Sequence, residues 1–231
     1  FTACANAPKE PEARAEYEKA AAAGGGYLPA SAALGAILLE EGRPDEAGPR
    51  LEAAYLGGER GTRLLLARAR LFDQKGDVPR ALAAYREALL KAARDTQVLR
   101  AVAQFYLRHG DAASALPFNS TAAEADPDDP VIAREMAVLL ERLGRVTAAL
   151  DVARDAGRRA LERLAGSRAG AWAGAAPGRD EDRRLLLLAA DLETRAGDRA
   201  RASEYLAALE RAGLLDGGTP DDPEARGTLR R

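Results

Sequence analysis

Glycine recurs every 34 residues through the middle of the chain, at Gly42, Gly76, Gly110 and Gly144. Alanine keeps the same period, five residues after each glycine at Ala47, Ala81, Ala115 and Ala149, and twelve residues after it at Ala54, Ala88, Ala122 and Ala156. A fixed period of this length is typical of stacked units, because each unit leaves an apolar face that only a neighbour can cover. The sequence therefore predicts four contiguous repeats, over 28–61, 62–95, 96–129 and 130–163.

Each repeat has the pattern of two amphipathic helices joined near the recurring glycine. In 96–129 the pattern turns at Gly110 and stops at Asp126-Pro127. Alanine and leucine dominate the 47% of hydrophobic residues, and aromatic residues make up 5%, which favours closely packed helices over sheets. The predicted fold class is all-α, a right-handed α-solenoid of helix-turn-helix repeats.

The motif residues of these units resemble those of the tetratricopeptide repeat. The matching residues are Leu34-Gly35, the aromatic residues Phe72, Tyr85 and Tyr106, the proline of Asp126-Pro127, and the small residues Gly35, Ala69, Ala103 and Ala137 at one shared position. A small residue is needed there because two helices cross too closely for a larger side chain. The resemblance covers about 28 to 216 and implies a scaffold that holds other proteins.

The segments outside the four repeats are predicted from their position within the 34-residue period and from their composition. We expect an N-terminal tail over 1–9, a half-repeat capping helix in 10–27, an insertion at 164–182, a fifth repeat over 183–216 and a polar C-terminal tail over 217–231. The insertion contains Trp172, the only tryptophan. We interpret Trp172 either as an anchor packed on the solenoid or as a contact for a partner.

Two features inside the repeats predict local packing. Ala81, Ala115 and Ala149 are expected to be buried between packed helices, where a larger side chain would not fit. Asn119 stands where an apolar residue is expected, so the second helix of the third repeat is predicted to be the loosest. An alternative interpretation is that Asn119 contacts a partner.

Composition and motifs exclude several function classes. The net charge is −2, which argues against nucleic-acid binding, although the chain has many arginines. One histidine, His109, and one cysteine, Cys4, offer no catalytic or metal-binding constellation, and no phosphate-binding lysine motif is present. We therefore expect a protein that is not an enzyme and that binds neither metal nor cofactor.

The first residues, Phe1-Thr2-Ala3-Cys4, resemble the end of a bacterial lipoprotein signal. The excess of arginine over lysine also suggests a GC-rich bacterial genome. Cys4 is therefore predicted as a lipid attachment site, the only membrane contact expected, in a protein of the bacterial cell envelope, in the periplasm or at the outer membrane. With Cys4, the chain resembles the tetratricopeptide lipoproteins that serve pilus secretins. The alternatives are a frayed tail and a cytoplasmic protein.

The resemblance implies that one face of each first helix lines a groove. The residues on that face are Arg63, Arg70, Gln97, Arg100, Gln104, Arg108, Arg134, Arg142, Arg184 and Arg195, and the acids Asp73, Glu141 and Asp191 share it. They predict a groove that is basic in its middle and apolar at its start. Its partner would be a protein segment with Asp, Glu or a C-terminal carboxylate beside apolar residues. Two alternatives remain: the arginines pair with neighbouring acids, or the protein is a permanent subunit of a larger complex.

Overall fold

A computed structural model describes residues 11–22, 27–166 and 179–215 of the chain. Within these ranges it contains eleven helices and no strand. The helices are α1 Pro11–Ala22, α2 Leu28–Glu40, α3 Pro44–Leu56, α4 Thr62–Gln74, α5 Val78–Lys91, α6 Thr96–Arg108, α7 Ala112–Ala125, α8 Pro130–Arg142, α9 Val146–Gly166, α10 Arg179–Ala196 and α11 Arg199–Arg211. The predicted all-α class is confirmed.

The helices are grouped in two compact units, Phe1–Phe105 and Tyr106–Arg231, with the boundary inside α6. In the first unit, α2 pairs with α3 and α4 pairs with α5, while α4 also packs against both helices of the preceding pair. Helix α1 packs against α2. In the second unit, α8 pairs with α9 and α10 with α11, and α10 packs against α8 and α9. Each unit is thus built from helix hairpins packed on one another.

The recurring glycines end the first helix of each hairpin. Gly42, Gly76, Gly110 and Gly144 have φ angles of 73°, 74°, 78° and 71°. These angles lie in the left-handed region, which glycine adopts without steric cost. At Gly110 the following N–H, that of Asp111, donates to the carbonyl of Tyr106 at 2.9 Å. Gly197 repeats the conformation at the end of α10 with a φ of 90°, so the turn returns after the break in period.

Small residues allow the two helices of a hairpin to approach closely. Ala81, Ala115 and Ala149 are each completely buried, which confirms the prediction for this position. A Cβ atom built on Gly35 in α2 would lie 2.4 Å from Leu51 Cδ2 in α3. Only glycine therefore fits at that crossing without displacing Leu51.

Helix α9 is longer than the other second helices, at 21 residues. Helix α10 begins at Arg179, within the segment predicted as an insertion. Two arginines of α9 hold buried carboxylates of α10. Arg163 Nε donates to Asp182 Oδ1 at 3.1 Å, and Arg154 binds Glu193 through two hydrogen bonds of 2.6 and 2.9 Å.

Asn119 is buried in α7, with 1% of its surface exposed. The same repeat position holds the buried residues Leu51, Tyr85 and Ala153. Neither Asn119 Nδ2 nor Oδ1 finds a hydrogen-bond partner among the described residues. A buried amide without partners destabilises the fold. That α7 is the loosest second helix stays a prediction. Its burial contradicts the alternative that Asn119 contacts a partner.

We expect Asn119→Leu to stabilise the protein. Leucine and asparagine both branch at Cγ, so the change replaces an unpaired amide with an apolar group of related shape, and the gain should be about 1 kcal/mol. Asn119→Asp should have the opposite sign, since it buries a charge in the same place. Urea unfolding curves of the two variants test this, and a leucine variant less stable than wild type would contradict it.

Candidate partner-binding groove

The first compact unit contains a groove of about 560 Å³. Its walls come from the first helices of successive hairpins, α2, α4 and α6, and Tyr17 of α1 also lines it. On α4 the lining residues include Arg63, Leu66, Ala67, Arg70 and Gln74, which are three or four residues apart. That spacing places them on one helical face. The groove is therefore formed mainly by successive first helices.

The groove has an apolar surface made of small and branched side chains. These side chains are Ala33, Ala36, Ile37, Leu39, Leu66, Ala67 and Ala101. Most come from α2, at the start of the repeats, while α4 and α6 contribute fewer of them. Such a surface can bury apolar side chains of a bound segment, with a favourable free energy proportional to the apolar area removed from water.

Positive charge lies beside this apolar surface. Arg63, Arg70 and Arg100 line the groove, and Glu40 is the one acid among the lining residues. Arg63 and Arg70 are exposed, and neither forms a hydrogen bond or an ion pair within the described part of the chain. Their guanidinium groups are thus available to an external acceptor. Gln74, Gln97 and Gln104 add neutral donors and acceptors.

Five of the residues predicted from the sequence meet in this groove. They are Arg63, Arg70, Gln97, Arg100 and Gln104. Tyr17, Glu40 and Gln74 also line the groove and were not among the predicted residues. Glu40 and Gln74 could have been found, since they are 34 residues apart and Gln74 follows Arg70 by one turn.

The predicted arginines of the second unit have different surroundings. Arg134 of α8 lies 3.4 Å from Glu181 of α10, without the alignment of a hydrogen bond, and Arg184 donates to the same Glu181 at 2.9 Å. Arg195 pairs with Glu141 of α8 and lies 2.8 Å from Asp191. These three arginines therefore lie beside acids of the protein itself. Glu181 was missed because it falls in the segment predicted as an insertion.

The remaining predicted residues divide into two groups. Arg108 and Arg142 are exposed in the last turns of α6 and α8. Cys4 and Trp172 lie outside the described residues, so their predicted roles stay predictions.

Arg154 and the buried Glu193 form an ion pair between α9 and α10 of the second unit. Glu193 is 1% exposed, and Arg201 Nη1 lies 3.6 Å from its Oε1 as a second cation. The hydrogen bonds from Arg154 hold the pKa of Glu193 below its ordinary value, against the opposing effect of burial. The same pair raises the pKa of Arg154. The Glu193 carboxylate therefore has a structural role: it is buried and bound by Arg154.

The described residues show no metal-binding cluster of three or more His, Cys, Asp or Glu side chains. None of the helices in the described ranges is both long enough and apolar enough to cross a membrane.

Comparison with solved structures finds proteins of the same architecture. MamA from Desulfovibrio magneticus RS-1 matches with a TM-score of 0.60 and 13% identity, covering 83% of this chain and 97% of that one. MamA AMB-1 matches with a TM-score of 0.55 and 20% identity, covering 82% and 99%. YrrB, described as a TPR protein with an unusual peptide-binding site, matches with a TM-score of 0.56 and 14% identity, covering 91% and 95%.

These similarities confirm the predicted fold class, an all-α solenoid of helix-turn-helix repeats of the tetratricopeptide type. No protein-family model matches the sequence. Curated proteins give no significant match either.

We expect the Arg154–Glu193 pair to stabilise the protein at pH values above the ordinary pKa of glutamate. At acid pH, where Glu193 is protonated, this contribution should be lost. Arg154→Met should cost about 2 kcal/mol at neutral pH, less than for a fully buried pair because Arg154 is partly exposed and Arg201 remains. Since the folded-state pKa of Glu193 is lowered, the cost should fall as pH decreases below about 4.5 and through the folded pKa. Urea unfolding of the wild type and of Arg154→Met at neutral pH and at acid pH measures this cost.

Arg158→Met is the matched control, because Arg158 lies on the same helix in exposed pairs with Asp155 and Glu162. It should change the free energy of unfolding little at either pH. An Arg154→Met cost that is equal at neutral and acid pH would contradict the role given to Glu193.

Proposed function

We propose that this protein is a non-catalytic scaffold that holds a segment of a partner protein in the groove of its first unit. The observation that carries the proposal is the combination of an apolar surface with Arg63 and Arg70, which have no acceptor within the described chain. Unpaired, exposed guanidinium groups beside an apolar surface match a ligand that brings both carboxylates and apolar side chains. YrrB, which has the same fold, is a TPR protein with an unusual peptide-binding site.

The helix geometry suggests how the carboxylates of the partner are spaced. Arg63 and Arg70 are two turns apart on α4, which corresponds to about 10 Å along the helix axis. An extended peptide covers about the same distance in three residues. We therefore propose a segment with two acidic groups three residues apart, or one acidic side chain and a C-terminal carboxylate, with apolar residues nearby for the α2 side of the groove.

The second unit does not share this role in our proposal. Arg134, Arg184 and Arg195 already lie beside acids of the same unit. A ligand carboxylate would have to displace those acids, so it would gain less from each arginine there than from Arg63 or Arg70.

A peptide titration tests the groove. The probes are a labelled peptide with Glu-Leu-Ala-Glu at its centre and the same peptide with both glutamates changed to glutamine. We expect the acidic peptide to bind more tightly, and Arg63→Glu with Arg70→Glu to weaken it by at least about tenfold, because attraction becomes repulsion at two sites. Fluorescence anisotropy measures the affinity.

The matched control is Arg142→Glu with Arg145→Glu, which reverses two exposed arginines of the second unit. It should leave peptide affinity within about twofold. Equal binding of the acidic and neutral peptides, or equal loss in both double variants, would contradict the groove assignment. If a native partner copurifies in fixed stoichiometry and is retained by the groove variant, the protein is instead a permanent subunit of a complex.

We also propose that the protein belongs to the bacterial cell envelope and carries a lipid on Cys4. The support is the sequence Phe1-Thr2-Ala3-Cys4 and its resemblance to the end of a lipoprotein signal. Two acyl chains on one cysteine would supply stable membrane attachment. Mass spectrometry of the native protein should find a diacylglyceryl group on the peptide that contains Cys4. An unmodified thiol in that peptide would contradict the proposal, and the groove assignment would be unaffected.

A further inference from the structure

Two exposed leucines lie at one edge of the first unit, where α3 and α5 end. Leu56 is 77% exposed in the last turn of α3, and Leu90 is 89% exposed in the last turn of α5. They are 34 residues apart and so occupy the same position of successive repeats. Tyr55 Oη donates to Glu87 Oε2 at 3.2 Å, which links the turns that carry the two leucines. The leucines therefore form a pair on one edge.

Tyr27 extends this edge. It precedes α2 and is 62% exposed. A Cβ atom built on Gly57, directly after α3, would lie 2.8 Å from Leu28. The start of α2 thus contacts the end of α3, and Tyr27 lies on the same side of the unit as Leu56.

The fold does not require leucine at this repeat position. The third and fourth repeats have Glu124 and Arg158 there, and both are exposed. Single exposed apolar residues are common on protein surfaces and need no explanation. Two leucines that are this exposed, in successive repeats and at a position that accepts charge elsewhere in the chain, indicate a contact outside the protein.

Unpaired positive charge surrounds Leu90. Arg86 lies four residues before it and so on the same face of α5, and Lys91 and Arg94 follow it. All three side chains are exposed, and none forms an ion pair or hydrogen bond within the described part of the chain.

The acids near this edge are held in local contacts. Glu52 pairs with Arg68 at 3.4 Å, and Glu87 lies 3.6 Å from Arg60. The carboxylate of Asp95 accepts the backbone N–H of Gln97 at 2.8 Å and so caps α6. Asp95 and Glu59, which accept backbone N–H groups, keep their negative charges and offset two of the three unpaired cations. The edge therefore has a surplus of one positive charge, although the protein as a whole has a net charge of −2.

We infer that this edge, formed by Tyr27, Leu56, Leu90, Arg86, Lys91 and Arg94, docks the protein on an anionic lipid surface. Protruding leucines can enter the boundary between headgroups and acyl chains, and tyrosine is favoured at that depth. Arginine and lysine beside them attract anionic headgroups. A highly exposed, protruding pair suits a deformable lipid surface better than a preformed protein pocket. The contact is independent of the groove residues and of any lipid on Cys4.

Vesicle co-sedimentation of the full unlipidated chain tests the inference. The probes are vesicles of phosphatidylcholine alone and vesicles with about 30 mol% phosphatidylglycerol. We expect binding to the anionic vesicles that weakens at high salt. Leu56→Ser with Leu90→Ser should weaken it by at least about tenfold, because the apolar contact is removed. Arg86→Gln, Lys91→Gln and Arg94→Gln together should remove the preference for anionic vesicles.

Arg50→Gln with Arg80→Gln is the matched control, since it removes two exposed cations of the same unit that lie before the last turns of α3 and α5. It should bind vesicles like the wild type. The edge positions are exposed, so circular dichroism melts of all variants should coincide. If the wild type does not bind anionic vesicles, or if both edge variants bind them as tightly as the wild type, the inference is overturned. The edge would instead be a contact for a second copy of the chain if the wild type self-associates without binding vesicles, and if the leucine variant no longer self-associates.

Discussion

The close contact between the two helices of each hairpin is the constraint on which the rest of the structure depends. It needs a left-handed turn at a glycine such as Gly110 and a small residue where the helices cross, as at Gly35 against Leu51. Once these are satisfied, each hairpin leaves one apolar face for the next hairpin to cover. The outer faces of the first helices are then left to line a groove, as they do in the first unit.

Electrostatics gives similar sequence patterns different roles in the two units. Arginines recur on the first helices throughout, but Arg134, Arg184 and Arg195 of α8 and α10 lie beside Glu141, Glu181 and Asp191. Two of those on α4 form no ion pair or hydrogen bond within the described residues. An arginine that pairs with an acid of the same protein stabilises the protein modestly, while an unpaired arginine can bind a carboxylate of a ligand. The local supply of acids thus separates structural arginines from candidate binding residues.

The second unit uses buried ion pairs where the repeat pattern is interrupted. Arg154 and Arg163 of α9 hold Glu193 and Asp182 of α10 on either side of the break in period. Because a buried carboxylate is costly without its partner, these pairs fix α10 on α9 in one register. Ion pairs between α9 and α10 therefore hold the helices together at the point where the 34-residue period is interrupted.

The sequence determined the all-α class through its periodicity and composition, and the resemblance to the tetratricopeptide repeat pointed to five residues that line the groove, because a 34-residue repeat fixes which side chains share a helical face. The tertiary structure alone decided which arginines are paired, since the partners Glu181 and Arg195 of α10 are distant in sequence from the residues of α8 that they meet. It also decided that Asn119 is buried and that Leu56 and Leu90 are exposed. Burial and ion pairing depend on neighbouring helices, and a repeat pattern does not specify the identity of every neighbour.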